Sequence, residues 1–201
     1  MLDKARYIVV EGPIGAGKTS LARRLADRLQ AEAVFEQAEL NPFLGRFYQQ
    51  SERWGLATQL SFLFQRIDQL STLGPIEGER RVVADFLFDK DHLFAEQNLS
   101  PDELVLYRRV HDGLQPANAP RPDLVICLDA PAEVLYNRKG EGSVAAIEKR
   151  RQEYLQLANL VEHFVVVDVT QPEDVVASQV TQLVQDFYRA RSGGLQKVPN
   201  G

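Results

Sequence analysis

The chain has 201 residues, of which 44% are hydrophobic and 25% are charged, and its formal net charge is −5. These values are typical of one globular domain that is long enough to bury its own core. The negative net charge argues against a general nucleic-acid-binding protein, which usually presents a basic surface. The one cysteine, Cys127, excludes an intramolecular disulfide and a cysteine-based zinc site.

The sequence contains no run that approaches the roughly 18 apolar residues of a membrane span. The first apolar run, Tyr7–Val10, is also too short for the core of a signal peptide. We therefore expect a cytoplasmic protein with neither a membrane nor a nucleic acid as partner. Residues 193–201 are rich in Gly, Pro and Asn, so we predict a flexible tail that follows one domain over residues 1–192.

Five short apolar runs predict β-strands, namely Tyr7–Val10, Ala33–Phe35, Val82–Ala84, Leu124–Leu128 and Phe164–Val167. The runs are continuous rather than alternating, which indicates strands that are buried on both faces, as in a parallel sheet. An acidic residue follows each run, namely Glu11, Glu36, Asp85, Asp129 and Asp168. Ligands of such sheets bind beyond the carboxyl ends of the strands, so these acidic residues indicate where a site lies.

Five helical patterns separate or follow the strands, namely Thr19–Leu29, Trp54–Leu73, Pro101–Leu114, Ile147–Val161 and Pro172–Ala190. Ser100 and Glu103 form the capping-box pattern at the start of the third, with Pro101 at its first position. Strands that alternate with helices predict an α/β three-layer fold. Its centre is a five-stranded parallel sheet that is flanked by helices on both faces.

A phosphate-binding motif lies between the first strand and the first helix, with the sequence Gly12-Pro13-Ile14-Gly15-Ala16-Gly17-Lys18-Thr19. In a loop of this kind, backbone N–H groups surround phosphate oxygens and the helix adds its positive end. Lys18 is expected to reach the β- and γ-phosphates, and the Thr19 hydroxyl to ligate Mg²⁺. We predict that ATP is bound by Gly12, Gly15, Ala16, Gly17, Lys18, Thr19 and Ser20.

The stretch from Glu36 to Arg66 resembles the deoxynucleoside kinase family. The matching residues are Glu36, Asn41-Pro42-Phe43-Leu44, Phe47-Tyr48, Arg53-Trp54, Gln59 and Arg66. The resemblance extends from about Tyr7 to Arg189 and is densest in the first third. It implies a P-loop kinase fold with a short lid at about 137–147, ATP and Mg²⁺ as cofactors, and a homodimer. The implied reaction is transfer of the ATP γ-phosphate to the 5′-hydroxyl of a deoxynucleoside in nucleotide salvage.

Several residues of this stretch are suited to binding a nucleoside. Glu36 at a strand end is suited to a general base, although a solvated loop carboxylate is the alternative. Gln59 and Arg66 are seven residues apart and share one helix face, and a side-chain amide can pair with a base edge. Tyr48 is suited to bonding a sugar 3′-hydroxyl, with a core aromatic as the alternative. Of Trp54, Phe62 and Phe64, we expect at most one to contact substrate.

The resemblance weakens after the third strand. Asp85 is expected to act in catalysis and as a magnesium partner, but Phe86 stands where the family commonly has arginine. Lys90 is a candidate to supply the missing charge. The pattern Asp-Phe-x-Phe-Asp-Lys resembles bacterial members that act on purines. This favours deoxyadenosine or deoxyguanosine, although periodicity and spacing say nothing about the base.

The predicted lid is poorer in arginine than the lids of the family. Arg138 is the expected lid cation at the nucleotide, while Arg150 and Arg151 either contribute or form a solvated helix face. The second sugar-binding glutamate of the family falls near Glu148, with Glu141 as the alternative.

Two other functions stay open from the sequence. A thymidylate-type monophosphate kinase would need a basic clamp for the phosphate of its acceptor, and no Asp-Arg-Tyr-type segment lies near Asp85. A nucleotide-binding regulator without catalysis is supported only by Phe86. The absence of an Asn-Lys-x-Asp motif argues against a GTPase.

Overall fold

The computed structural model describes residues 6–114, 120–140 and 143–193. Its strands are β1 (Tyr7–Glu11), β2 (Glu32–Val34), β3 (Val82–Ala84), β4 (Leu124–Asp129) and β5 (Phe164–Asp168). Its helices are α1 (Lys18–Leu29), α2 (Leu44–Gln49), α3 (Ser51–Leu73), α4 (Lys90–Asn98), α5 (Pro101–Leu114), α6 (Ala132–Lys139), α7 (Val144–Gln156) and α8 (Glu173–Gly193). Short 3₁₀ turns span Ala38–Leu40 and Leu157–Asn159. Within these ranges no helix combines the length and the apolar composition that crossing a membrane requires.

The five predicted strands form one sheet in the order β2-β3-β1-β4-β5, and every neighbouring pair is parallel. The central strand β1 pairs with β3 on one side and with β4 on the other, so that Ile8 lies beside Val83 and Leu124. The α/β prediction is confirmed.

Successive side chains of the central strands pack on opposite faces of the sheet. Ile8 and Val10 belong to the core beneath α1 and α8, whereas Tyr7 and Val9 belong to the core beneath α3 and α7. All five residues of β1 are buried. Burial on both faces explains the continuous apolar runs of β1, β3 and β4. The prediction of such burial is wrong for the edge strands β2 and β5, which are exposed or half-buried at most positions.

The helix starting at Pro101 has the predicted cap, since the Ser100 N–H and Oγ both donate to Glu103 Oε2, at 2.9 and 2.8 Å. The predicted helix Ile147–Val161 is shorter than expected, because α7 ends at Gln156 and continues as a 3₁₀ turn. Helices α2 and α4 carry no clear apolar stripe. Two of the buried positions of α4 are Lys90 and Asp91, which is why amphipathic periodicity does not reveal it.

The acidic residues at the strand ends divide into two groups. Since β2, β3 and β1 are neighbours, Glu36, Asp85 and Glu11 lie at one part of the sheet edge. Asp129 and Asp168 are register partners at the ends of β4 and β5. The first group lies beside the phosphate-binding motif.

The lid prediction falls on α6, α7 and the connection between them. The left-handed Gly140 (φ 66°) ends α6, and Ser143 caps α7 by accepting a hydrogen bond from the Ala146 N–H at 3.2 Å. Residues 141–142 lie outside the described residues, as does the alternative sugar ligand Glu141. The predicted tail also lies outside them, apart from Gly193.

Candidate active site

The phosphate-binding motif forms the turn between β1 and α1. Gly12 has a φ of 147° and Gly15 a φ of 83°, values that only glycine adopts readily. A side chain at Gly12 would place its Cβ 2.4 Å from the carbonyl oxygen of Leu128, and one at Gly15 would place it 2.7 Å from that of Leu135. The glycines of the motif therefore let the loop pass directly against β4 and α6.

Lys18 begins α1 and lies close to the loop that precedes it. Its ammonium donates to the Pro13 carbonyl oxygen at 3.4 Å and lies 5.9 Å from the centre of the Tyr154 ring. Burial lowers the pKa of Lys18, and the positive charge of Lys90 lowers it further. Tyr154 belongs to α7, so this helix reaches the lysine of the phosphate loop. No feature of the sequence predicted this contact.

Asp85 joins the phosphate loop to Glu36. Thr19 Oγ1 donates to Asp85 Oδ2 at 2.5 Å, and the Glu36 backbone N–H donates to Asp85 Oδ1 at 2.6 Å. A hydroxyl and a carboxylate are ligands that Mg²⁺ accepts, and Mg²⁺ usually keeps several waters and takes the rest of its shell from substrate phosphates. No group of three acidic, histidine or cysteine side chains suited to a metal occurs among the described residues. Thr19 and Asp85 therefore fit a magnesium ion that is shared with a nucleotide.

Glu36 follows β2 and is ion-paired from two sides. Its Oε1 contacts the Arg66 guanidinium and lies 3.4 Å from the Lys90 ammonium. Burial alone would raise the pKa of Glu36, but these two cations and Lys18 bring it down to about 2. Because its pKa is low, the Glu36 carboxylate is ionised at neutral pH. Its side chain is 20% exposed, which leaves the carboxylate accessible to a ligand.

Arg66 lies on the buried face of α3, together with Gln59, as the helical spacing predicted. Its guanidinium contacts both Glu36 and Asp91, and the side chain of Asp91 is fully buried. Sequence reasoning missed Asp91. The signal that could have found it is an acidic residue directly beside Lys90 in the short segment after Asp85.

Lys90 forms the second bridge between carboxylates. Its ammonium lies 2.7 Å from Glu11 Oε1, and Glu11 also accepts hydrogen bonds from the N–H groups of Leu87 and Gly12, at 2.8 and 3.2 Å. We call Glu11, Glu36, Arg66, Lys90 and Asp91 the buried charge cluster. Phe86 does not take part in it, because its side chain is 1% exposed and packs in the core beneath α3.

The remaining predicted acceptor residues are less enclosed. Tyr48 is 75% exposed, with its ring centre 5.9 Å from that of Phe47. Phe62 lies next to the cluster, with its ring centre 5.0 Å from the Arg66 guanidinium. Phe64 is 48% exposed, and Trp54 stacks on Phe43. Of the three aromatic candidates, Phe62 is the one that borders the site.

The arginines of α6 and α7 have partners of their own. Arg138 donates to the Val169 carbonyl oxygen at 2.5 Å. Arg151 makes a bidentate pair with Asp129, at 2.7 and 2.8 Å, and contacts Glu148 at 2.5 Å. Glu148 is 43% exposed and bonded to its own helix, so the structure does not bring it to Glu36. Its role at the sugar stays a prediction.

A cavity of about 420 Å³ lies on the nucleotide side of the loop. It includes five residues that we predicted to bind ATP, namely Gly15, Ala16, Gly17, Ser20 and Arg138. The loop that follows β5, with Thr170 and Gln171, forms the opposite wall. The cavity and the buried charge cluster thus flank the phosphate loop from two sides, as a donor and an acceptor of a phosphate would require.

Comparison with known proteins agrees with this arrangement. The sequence model of the deoxynucleoside kinase family matches residues 8–186. A deoxyguanosine kinase of Bacillus subtilis is 33% identical over 139 residues, which are 68% of this chain and 67% of that protein. A probable thymidylate kinase of Archaeoglobus fulgidus is 29% identical over 92% of this chain and 97% of its own length.

Among solved structures, a deoxyadenosine kinase from M. mycoides superposes with a TM-score of 0.76 and 19% identity, over 90% of this chain and 99% of that one. This likeness shows the P-loop kinase fold. The family match covers nearly the whole described chain and includes the phosphate loop, Glu36 and Arg66. The chain belongs to the deoxynucleoside kinase family and is an ATP-dependent phosphotransferase.

Proposed function

We propose that this protein transfers the γ-phosphate of ATP to the 5′-hydroxyl of a purine deoxynucleoside in nucleotide salvage. The observation that carries the proposal is the double hydrogen bond of Asp85, to Thr19 at 2.5 Å and to the Glu36 backbone at 2.6 Å. These two bonds fix Glu36, whose carboxylate is ionised and partly exposed, next to the loop that binds phosphate. A carboxylate beside a phosphate-binding loop suits phosphoryl transfer to a hydroxyl, which needs positioning more than covalent chemistry.

In the proposed reaction, the backbone N–H groups of the loop and Lys18 hold the ATP phosphates. Thr19 and Asp85 would hold Mg²⁺, which supplies positive charge to the phosphates when bound. Glu36 accepts a hydrogen bond from the 5′-hydroxyl and takes its proton as the oxygen bonds to phosphorus and ADP leaves. A carboxylate with a pKa of about 2 is a weak base. A weak base is sufficient here, because the bond to the attacking hydroxyl is little formed in the loose transition state of phosphoryl transfer.

The preference for a purine is supported by the polar groups beyond Glu36. Gln59 on α3 offers the donor and the acceptor of its side-chain amide, whereas Arg66 and Asp91 are paired with each other. A side-chain amide suits the N6 and N7 edge of adenine. The name of the B. subtilis relative points to a purine as well.

The proposed sugar ligands are exposed side chains. Tyr48 is 75% exposed and Glu148 is 43% exposed, and we propose that α2 and α7 close over the sugar to bring them to it. Closure of this kind is common among enzymes that exclude water from a phosphoryl transfer. We further propose that the protein is cytoplasmic, as its sequence leads us to expect, and that it forms a homodimer, as the resemblance implies.

The test is a phosphorylation panel over the four deoxynucleosides with ATP and Mg²⁺, with product identified as the 5′-monophosphate. We expect deoxyguanosine or deoxyadenosine to give the highest kcat/KM. A pyrimidine preferred over both purines would overturn the base assignment and leave the reaction standing. No turnover with any deoxynucleoside would favour a nucleotide-binding regulator.

A thymidylate-type kinase is the second candidate, and the A. fulgidus relative, which matches 92% of this chain, is the observation that favours it. Such an enzyme needs free cations for the phosphate of its acceptor. Here both cations of the buried charge cluster, Arg66 and Lys90, already lie between carboxylates. Adding thymidine 5′-monophosphate to the panel decides the matter, because activity on the monophosphate alone would replace our proposal.

A further inference from the structure

Lys90 is the one residue of the buried charge cluster that contacts acids from two different strand ends. Its side chain is 4% exposed, and buried lysines are rare unless paired. The ammonium lies 2.7 Å from Glu11 at the end of β1 and 3.4 Å from Glu36 after β2. The strand β3 separates β1 from β2 in the sheet, so Lys90 spans the gap between them.

The two carboxylates that Lys90 contacts differ in how firmly they are held. Glu11 has no exposure and accepts hydrogen bonds from two backbone N–H groups, those of Gly12 and Leu87, so its position is fixed. Glu36 is 20% exposed and faces the site. Glu11 therefore anchors Lys90, and Lys90 in turn restrains Glu36.

Other cations near Glu36 act from different directions. Arg66 contacts it from α3 and is shared with Asp91, whereas Lys18 belongs to the phosphate loop itself. Lys90 is bound to Glu11, which immediately precedes that loop. It is thus the cation that ties Glu36 to the strand from which the loop departs.

We propose that Lys90 is a positioning residue for phosphoryl transfer, which holds the Glu36 carboxylate at a fixed place relative to the phosphate loop through its anchor Glu11. The inference rests on the proposed function, since it assigns Glu36 to the acceptor hydroxyl. A misplacement of about 1 Å can lower the turnover of a reaction of this kind about 100-fold. Lys90 would thereby provide the positive charge that positions Glu36, since Phe86, which stands where the family commonly has arginine, is apolar and buried in the core.

A purely structural role for Lys90 makes a different prediction. If Lys90 only neutralises the buried Glu11, removing both charges together restores a stable protein and its activity. If Lys90 positions Glu36, the same double change restores stability and leaves turnover low. The variants Lys90→Met and Glu11→Gln/Lys90→Met separate the two roles, and Lys90→Arg tests whether another cation suffices.

The experiment measures kcat, both KM values, the Kd for ATP and the Tm of each variant beside wild type. We expect Lys90→Met to lose about 100-fold in kcat. In Glu11→Gln/Lys90→Met we expect the Tm to return toward that of wild type while kcat stays at least about 30-fold low and the Kd for ATP changes by less than about threefold. Lys90→Arg should regain most of the lost turnover. The exposed Lys149→Met on α7 is the matched control.

A double variant with kcat within about threefold of wild type would overturn the inference, since Lys90 would then only neutralise Glu11. A loss of ATP binding equal to the loss of kcat would also overturn it. The wild type in the same assay separates this result from a failure of the proposed function. A wild type without turnover on deoxynucleosides would overturn both, whereas an active wild type with an active double variant overturns this inference alone.

Discussion

The buried charge cluster and the helices α6 and α7 hold positive charge in different surroundings. Arg66 and Lys90 have side chains that are 6% and 4% exposed, and each lies between two carboxylates. On α6 and α7, Arg138 is exposed, and Arg151, at 17%, makes its bidentate pair at the end of β4. The cations of the cluster are thus held by buried partners, whereas those of α6 and α7 lie nearer the solvent. Charge held by buried partners is the more costly to remove, and charge nearer the solvent the less costly.

Removing the acceptor carboxylate should have the largest effect. In Glu36→Gln we expect kcat to fall by about 10² to 10⁴, the usual contribution of a positioned base. The Kd for ATP should stay near that of wild type, because the phosphate loop is untouched. Steady-state kinetics and equilibrium ATP binding check this, with the exposed Glu39→Gln as control. A kcat within tenfold of wild type would contradict the role of Glu36.

Removing a cluster cation should destabilise the fold. Arg66→Met leaves the fully buried Asp91 without its guanidinium, and we expect a loss of about 3–5 kcal/mol in the free energy of unfolding. Urea denaturation measures it. The double variant Arg66→Met/Asp91→Asn should recover part of this loss, because no uncompensated buried charge remains there. A loss below about 1 kcal/mol in the single variant would show that the cluster is not buried in solution.

The ion pairs of Glu36 in the buried charge cluster should make the free energy of unfolding depend on pH in the acidic range. The pKa of Glu36 is about 2 in the folded protein and 4.5 ordinarily, so its ionised form stabilises the fold fully above pH 4.5. That contribution is lost as the pH falls through about 2. The difference in unfolding free energy between wild type and Glu36→Gln should therefore be constant from neutral pH to about 5 and change below it. A difference that is constant down to pH 2 would contradict the ion pairs of Glu36.

The ion pair between α7 and the end of β4 should show the smallest effect. Arg151→Met removes a bidentate pair whose members are 17% and 18% exposed, and we expect a loss of about 1–2 kcal/mol in unfolding free energy. Turnover should change less than in Glu36→Gln. Urea denaturation beside the exposed Arg189→Met, which should cost less than about 0.5 kcal/mol, checks the value. A larger loss in Arg151→Met than in Arg66→Met would reverse the contrast between the two regions.

The sequence predicted those parts of the molecule that depend on neighbours along the chain. The strands β1, β3 and β4 were found because burial on both faces leaves continuous apolar runs, as at Tyr7–Val10. The edge strands β2 and β5 were found from their apolar runs although they are not buried on both faces. The phosphate loop was found because its turn needs glycine at fixed positions. The order of the strands was not predicted, since spacing along the chain does not determine which strands pair.

The buried charge cluster depends on contacts between distant residues, and it was predicted only in part. Glu36 and Arg66 were identified through the family resemblance, and Lys90 only as a candidate for missing charge. Asp91 and Tyr154 were missed, because a charged residue on a buried helix face and a tyrosine in a charged helix look like ordinary surface residues. Glu148 was singled out on α7, yet Tyr154 on the same helix is the residue that reaches Lys18.

The close approach of Gly12 to Leu128 and of Gly15 to Leu135 bears on the entropy of nucleotide binding. Because β4 and α6 press on the loop at these points, its backbone is already confined before ATP arrives. A confined loop loses little conformational freedom on binding, so more of the interaction energy with the phosphates remains as affinity. An alanine at either glycine would thus disturb the free protein as well as its complex with ATP. The conformation of the phosphate-binding loop is therefore set by its packing against β4 and α6, before any nucleotide binds.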